Sequence, residues 1–204
     1  MKALRCRAWG APDTLQLEEA ESPKLLPHQV RIRVRAAGVN FADTLMVGGR
    51  YQVKPQFPFT PGLEAAGEVV EAGAAVGNLR VGERVFAVLR SGGGYAEEIA
   101  PDVAAVVPIP AAMDFVTAAA FPVAYGTSHF ALTHRGHLQA GETLLVLGAA
   151  GGVGLTAIEI GKAMGARIIA AAGGVEKLDV ARSRGADADR LQDRKHPRPR
   201  AGSD

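Results

Sequence analysis

Seven residues near position 150 combine glycine with small side chains in a spacing that suits phosphate binding. Residues 148–154 read Gly-Ala-Ala-Gly-Gly-Val-Gly, a G-x-x-G-x-x-G variant of the dinucleotide-binding pattern G-x-G-x-x-G. Glycines let backbone N–H groups approach a pyrophosphate at the positive end of a helix. The residues expected to bind the cofactor here are Gly148, Ala150, Gly151, Gly152, Val153 and Gly154. The alternative is that these glycines serve only the close packing of a strand against a helix.

The elements predicted around this loop favour phosphate binding. Thr143–Leu147 is a continuous apolar run, typical of a parallel strand covered on both faces. The loop leads into a helix that runs to about Met164, followed by a strand over 167–172 and a helix over 175–184. The buried face of the first helix is predicted to carry Val153, Ala157, Ile160 and Met164. The order β-α-β-α predicts half of a nucleotide-binding fold.

The end of the second predicted strand bears on the choice between NAD and NADP. NAD sites usually place an acidic side chain there for the ribose 2′-hydroxyl, but residues 171–175 carry no carboxylate. We expect Gly173 to lie against the cofactor and Lys177, one turn into the next helix, to meet a 2′-phosphate. The cofactor predicted is therefore NADPH. The alternatives are that Lys177 is an ordinary solvated lysine and that Glu176, explained equally by the helix dipole, binds a ribose.

The first two-thirds of the chain reads as short strands separated by many of its 25 glycines and 12 prolines. Residues 29–35 alternate strictly between apolar side chains and polar ones, as a half-buried strand does. Other strands are predicted at 2–8, 64–72, 84–90, 95–100 and 103–107. This spacing indicates a small barrel or sandwich. Helices are predicted at 41–47, after the capping residue Asn40, and over 114–134 with a break at Pro122.

Three motifs in this order resemble the quinone oxidoreductase branch of the medium-chain dehydrogenase/reductase family. They are Ala-Ala-Gly-Val-Asn-Phe-Ala-Asp at 36–43, Phe-Thr-Pro-Gly-Leu-Glu-Ala-Ala-Gly at 59–67, and the glycine loop at 148–154. The resemblance runs from Met1 to about Ala188. It implies an α/β protein with an all-β N-terminal domain: a GroES-like β barrel over 1–120 that supplies the substrate site, then an incomplete Rossmann parallel sheet over 121–188.

The same resemblance predicts that the chain binds no metal. Zinc-dependent alcohol dehydrogenases of this family have a metal-binding Cys where this chain has Asn40 and a metal-binding His where it has Leu63. An amide is a poor zinc ligand and a leucine is none. Glu64 remains, but a lone carboxylate does not hold zinc. The single cysteine, Cys6, excludes a multi-cysteine zinc site.

A site without a Lewis acid suits acceptors that take hydride readily, namely quinones and α,β-unsaturated carbonyls (enones). The resemblance implies hydride transfer from the nicotinamide, with Asn40 and Tyr51 as the catalytic residues that orient the acceptor oxygen. It also implies that Thr127 contacts the nicotinamide carboxamide. The alternatives are that Asn40 only caps a helix, that Tyr51 is a surface-loop aromatic, and that Thr127 is an interior helix residue. An enoyl reductase acting on a carrier-bound substrate fits the same motifs.

Residues 189–204 depart from the family pattern, with no periodicity and little apolar content. We expect an aberrant, disordered tail; contact of its basic residues with nucleic acid is the alternative. Relatives are expected to continue for roughly another 120 residues, so the resemblance implies a C-terminal truncation. Residues 189–200 can be back-translated into codons that, read one nucleotide later, encode the Ile-Asp-Tyr-Arg expected from the family pattern. This suggests a frameshift. An incomplete sheet is expected to impair NADPH binding and activity, and a non-catalytic remnant is the alternative function.

Composition limits the remaining function classes. The 204 residues carry a net charge of only +2, which gives no reason to expect nucleic acid or a membrane as partner. No apolar run approaches the roughly 20 residues of a membrane helix, and the first residues lack the apolar centre of a signal peptide. We expect a cytoplasmic protein with a small-molecule quinone or enone as its partner. The resemblance adds a homodimer for the full-length form.

Overall fold

The computed structural model describes residues 1–186, which divide into two compact units, Met1–Val123 and a second unit that begins at Ala124. The predictions made for residues 189–204, and for the last two residues of the 121–188 segment, lie outside the described residues. No helix within residues 1–186 has both the length and the apolar character needed to cross a membrane.

The first unit is built on antiparallel sheets. Its strands are β1 (Lys2–Arg5), β2 (Gln16–Glu19), β3 (Val30–Ala37), β4 (Glu64–Ala72), β5 (Arg84–Val88), β6 (Glu98–Ile99) and β7 (Val106–Pro108). β1 pairs with β2, and the other five form one sheet in the order β6-β3-β4-β5-β7. The predicted alternation along β3 is confirmed, since Val30 and Ile32 are fully buried in the core of this sheet. The strand predicted over 103–107 is in part wrong, because Val103–Ala105 forms a 3-10 turn before β7 begins.

Two short helices complete this unit. The first, α1 (Phe41–Val47), has the predicted bounds, and its N-cap residue Asn40 donates its backbone N–H to the Asp43 carboxylate at 2.8 Å. That contact follows the capping-box pattern. The second, α2 (Phe115–Ala120), begins after Asp114, whose carboxylate accepts from the backbone N–H of Thr117 at 2.8 Å.

The second unit contains the predicted β-α-β-α order. Its regular elements, with the helix that leads into it, are α3 (Pro122–Phe130), β8 (Thr143–Leu147), α4 (Gly152–Ala163), β9 (Arg167–Ala171) and α5 (Val175–Ser183). A turn of π-helix, Ala131–Arg135, follows α3. β8 and β9 pair in parallel over five residues each. Gly165 and Gly185 follow the last residues of α4 and α5 with φ of 82° and 104°, the left-handed conformation in which glycine commonly ends a helix.

Two sequence predictions for this unit are wrong. Within residues 1–186, β8 is covered on one face only: Val146 is buried, whereas Leu145 and Leu147 are 50% and 73% exposed. The buried face of α4 is also turned from the predicted one and contains Gly154, Ile158 and Gly161, together with Thr156. The apolar periodicity misplaced this face because glycines, which carry no apolar side chain, allow the helix to lie close to the strands.

Candidate functional site

The predicted catalytic residue Asn40 is held by a buried carboxyl group in the first unit. Its amide Nδ2 donates to Oε1 of Glu64 at 2.7 Å, and the backbone N–H of Val123 donates to Oε2 at 2.7 Å. Glu64 begins β4 and is 2% exposed, while Asn40 is half-buried at the start of α1. Asn40 is therefore more than a helix cap, because its carboxamide is tied to a strand that lies 24 positions further along the chain.

A second buried carboxylate fixes the backbone around Asn40. Asp43 is 4% exposed, and besides the Asn40 backbone it accepts from the Tyr95 hydroxyl at 2.9 Å and from the Gly62 N–H at 3.1 Å. The Tyr95 hydroxyl also lies 3.3 Å from the carbonyl oxygen of Gly38. These contacts join α1, the segment before β4 and the segment before β6 around one polar cluster, which we call the Asn40 cluster: Asn40, Asp43, Glu64 and Tyr95.

Burial controls the ionisation of this cluster. It raises the pKa of Glu64 above its ordinary value, the charge of Asp43 acts in the same direction, and the hydrogen bonds from Asn40 and Val123 oppose the increase. Burial and the neighbouring carboxylate of Asp43 also raise the pKa of the Tyr95 hydroxyl. Tyr95 therefore remains a hydrogen-bond donor at ordinary pH.

Tyr51 and Leu63 lie in one apolar cluster of the same unit. Leu63 is 6% exposed and packs with Cys6, Met46 and other buried side chains. Tyr51 is half-buried and packs against this cluster, and its backbone N–H donates to the carbonyl of Leu45 at 3.1 Å. Tyr51 is therefore not a free surface aromatic, although no hydrogen bond joins it to the Asn40 cluster.

The glycine loop connects β8 to α4 in the second unit. Gly148 has φ of 62°, and its carbonyl accepts from the Gly151 N–H at 2.9 Å, which closes a tight turn. Gly148, Gly151, Gly152 and Val153 are exposed. The first internal bond of α4 runs from the Leu155 N–H to the Gly151 carbonyl, so the N–H groups of Gly152, Val153 and Gly154 are those that a helix leaves for an external acceptor.

The remaining loop residues are packed. Ala149 is fully buried, Ala150 is half-buried, and Gly154 is buried under the turn. A Cβ on Gly154 would lie 2.5 Å from the Gly148 carbonyl oxygen, whereas a Cβ on Gly152 would meet nothing within 4 Å. The glycines thus divide into one that packing requires and others that leave open space.

Two hydroxyl groups connect α3 to the start of α4. Ser128 is 1% exposed and donates to the carbonyl of Val153 at 2.8 Å; its oxygen also lies 2.8 Å from that of Thr156. Thr156 lies in turn 3.1 Å from the carbonyl oxygen of Ala124. Thr127 is exposed on α3, next to this connection.

The cofactor-binding positions predicted after β9 lie in the connection to α5 and in the first turn of that helix. Gly173 and Gly174 are exposed, and Gly174, with φ of 89°, precedes the first residue of α5. Lys177 is exposed in the first turn of that helix. Exposed backbone at Gly173 and Gly174 and the positive charge of Lys177 therefore lie close in sequence after the end of β9.

Comparison with known proteins shows what the chain is similar to. Residues 26–111 match the family model of the alcohol dehydrogenase GroES-like domain. The chain is 40% identical over 188 residues to a quinone oxidoreductase-like protein 2 homolog from Nematostella vectensis, covering 92% of this chain and 51% of that protein. With the quinone oxidoreductase-like protein 2 of Bos taurus the identity is 43% over 175 residues, covering 85% and 50%. The chain is a homologue of the quinone oxidoreductases of the medium-chain dehydrogenase/reductase family.

Solved structures show the same relationship. A probable oxidoreductase from Mycobacterium abscessus superposes with a TM-score of 0.86 at 41% identity, covering 95% of this chain and 62% of that one. A quinone oxidoreductase from Thermus thermophilus, also solved in complex with NADPH, gives 0.81 at 37% identity, covering 92% and 59%. The predicted GroES-like unit and parallel sheet are confirmed. The chain spans about half the length of the curated relatives it matches.

Residues 1–186 do not fit the zinc ligand set of the family's alcohol dehydrogenases. Leu63 lies in an apolar cluster and Asn40 is engaged with Glu64. Within the described part of the chain, no group of three or more His, Cys, Asp or Glu side chains is arranged to hold a metal.

Sequence reasoning missed several residues of both units. Asp43, Glu64 and Tyr95 in the first unit and Ser128 in the second are buried polar residues that organise their surroundings. Glu64 gave a local signal as the single charged residue within the small and apolar run at 63–67, and Asp43 gave one as the third residue of a helix that begins after Asn40. The other contacts of Asp43, and those of Tyr95 and Ser128, depend on partners far away in the chain.

Proposed function

We propose that this chain belongs to an NADPH-dependent oxidoreductase that transfers hydride to a quinone or an α,β-unsaturated carbonyl without a metal ion. The observation that carries the proposal is the carboxamide of Asn40. It occupies the position at which zinc-dependent relatives have a cysteine ligand, and a buried glutamate holds it in place. A fixed hydrogen-bond donor is the simplest replacement for a Lewis acid at an acceptor oxygen.

The second unit would hold NADPH. The exposed backbone of Gly152 and Val153 at the start of α4 suits the pyrophosphate, with Gly148, Ala150, Gly151 and Gly154 shaping the same loop. Lys177 suits the 2′-phosphate, Gly173 lies against the cofactor, and Thr127 suits the carboxamide of the nicotinamide. When bound, NADPH supplies the hydride.

The first unit would hold the acceptor. Asn40 would donate to the acceptor oxygen, which gains negative charge on reduction, and Tyr51 would orient the same group. Asn40 retains a second N–H for this purpose, because only one is directed to Glu64 in the hydrogen bond described above.

The test is NADPH oxidation by the purified chain, followed at 340 nm with p-benzoquinone and with methyl vinyl ketone. We expect slow turnover with both acceptors, unchanged after treatment with a metal chelator, and still slower turnover with NADH. Loss of activity on chelation contradicts the metal-free mechanism. NADPH binding without turnover of either acceptor, together with reduction of a carrier-bound enoyl thioester, favours the enoyl reductase. The absence of both binding and turnover favours the non-catalytic alternative.

A further inference from the structure

We propose that Glu64 is a positioning residue that determines which way the Asn40 carboxamide faces and therefore whether it can donate to the acceptor. This inference rests on the proposed function for its consequence in turnover. The contact itself is present without any substrate, so the two ideas can be tested separately.

The hydrogen bonds of Glu64 give its two oxygen atoms different partners. Oε2 accepts from the backbone N–H of Val123, and Oε1 accepts from Nδ2 of Asn40, both at 2.7 Å. A backbone N–H cannot become an acceptor, so the Val123 side of Glu64 must always present an oxygen. Only the side that faces Asn40 can change from acceptor to donor.

The surrounding backbone keeps the Glu64 carboxyl group in place. A Cβ on Gly38 would lie 2.2 Å from Oε1 of Glu64 and 2.6 Å from the carbonyl oxygen of Ala119, so the carboxyl group fills the space that glycine leaves there. The Gly38 N–H also donates to the backbone carbonyl of Glu64 at 3.2 Å. Because there is so little free space, the Glu64 side chain stays in place when its hydrogen bonding changes, and the Asn40 carboxamide reorients instead.

Replacing Glu64 with glutamine changes the polarity of this contact but not its shape. The side-chain oxygen of the new glutamine must face Val123, which turns the new NH₂ group towards Asn40. Two NH₂ groups cannot bond to each other, so the Asn40 carboxamide turns over to accept through Oδ1. The NH₂ group of Asn40 then points away from residue 64, and neither of its N–H bonds has the direction that it has in the unsubstituted chain.

Protonation of Glu64 has the same effect as this substitution, because a proton on Oε1 makes that atom a donor towards Asn40. The ionisable groups that act on Glu64 are Asp43 on α1 and the Tyr95 hydroxyl, and the segment that contains Ala119 and Val123 presents the Ala119 carbonyl and the Val123 N–H. The orientation of Asn40 should therefore follow the titration of Glu64, whose pKa is raised chiefly by burial.

The contact is tested by NMR of the chain without cofactor or acceptor, with the Asn40 side-chain NH₂ signals identified by their loss in Asn40→Ser. We expect these signals to shift with pH along the titration of the Glu64 carboxyl carbon and to be independent of pH in E64Q. The matched control is E68Q, which makes the same change on β4 at an exposed carboxylate paired with Arg35. Wild-type Asn40 signals that do not respond to pH, or that E64Q leaves unchanged, overturn the proposal; the wild-type titration decides even if E64Q fails to fold.

Two further variants distinguish orientation from simple stabilisation. Asn40→Asp places two carboxyl groups together, and adding E64Q restores a donor between them, so the double variant should melt roughly 5 °C above Asn40→Asp. With turnover as readout, E64Q should lower kcat/KM about tenfold, mainly through kcat, with the KM for NADPH unchanged. The double variant should turn over as slowly as Asn40→Asp, because the aspartate that replaces Asn40 has no side-chain N–H. Normal turnover in E64Q overturns the role in positioning, whereas an inactive wild-type chain refutes only the proposed function.

Discussion

The two kinds of glycine in the 148–154 loop should respond oppositely to the same substitution. In Gly154→Ala the new methyl group would lie 2.5 Å from the Gly148 carbonyl oxygen and 2.8 Å from Cα of Ala149, both of them backbone atoms that the turn holds in place. Restoring ordinary contact requires a displacement of the loop by about 0.9 Å, since Cβ contacts are comfortable near 3.4 Å. Overpacking of this kind costs about 1–3 kcal/mol, and the greater helix propensity of alanine returns up to about 1 kcal/mol.

We therefore expect Gly154→Ala to lower the free energy of unfolding by about 1–2 kcal/mol, measured by urea denaturation with circular dichroism. Gly152→Ala is the matched control, because its methyl group meets nothing within 4 Å. It should leave stability unchanged or slightly higher. It should weaken NADPH binding on the order of tenfold, measured by calorimetry, because the methyl group enters the space proposed for the pyrophosphate. Equal losses of stability in the two variants would refute this division.

Four further predictions concern Glu64 and Asn40 in the first unit and Lys177 and Ser128 in the second. Burial raises the pKa of Glu64 above its ordinary value of 4.5, so protonation of Glu64 favours the folded state. This contribution to stability is complete below the ordinary pKa and is lost as the pH rises through the raised pKa of the folded state. The free energy of unfolding should therefore fall between these two pKa values in the unsubstituted chain and not in E64Q. Asn40→Ala should lower kcat with p-benzoquinone on the order of 100-fold while leaving NADPH affinity unaltered, and equal kcat values would exclude a catalytic Asn40. Lys177→Ala should reduce the preference for NADPH over NADH by about tenfold in binding assays, and an unchanged preference would make Lys177 an ordinary solvated lysine. Ser128→Ala should lower the free energy of unfolding by about 1 kcal/mol in urea, and no loss would mean that the bonds to Val153 and Thr156 contribute nothing net.

Local patterns predicted most of the secondary structure. The strict alternation in β3, the capping residue before α1 and the apolar run of β8 each specify an element through neighbouring residues, and α1, β4 and β8 have the predicted bounds. The glycine loop was also predictable, because the turn at Gly148 and the start of α4 depend on residues within a few positions. Periodicity failed for α4, where Gly154 and Gly161 replace apolar side chains on the packed face.

The Asn40 cluster could not be assembled from sequence alone. Asn40 and Glu64 are 24 positions apart, and Asp43 and Tyr95 are 52 positions apart. Their contacts arise only after β4 has paired and α1 has packed against its neighbours. A buried acidic residue within a small and apolar run signals that a partner must exist, but the sequence does not say which residue provides it.

In the proposed function, the open backbone between β8 and α4 binds the diphosphate of NADPH. Hydrogen–deuterium exchange of the chain, measured by mass spectrometry with and without saturating NADPH, tests this directly and requires no turnover. We predict slower exchange at residues 149–155 and at 173–178, with no change along the exposed strand β2. Equal exchange rates at 149–155 in the presence and absence of NADPH would mean that the diphosphate does not bind at this loop.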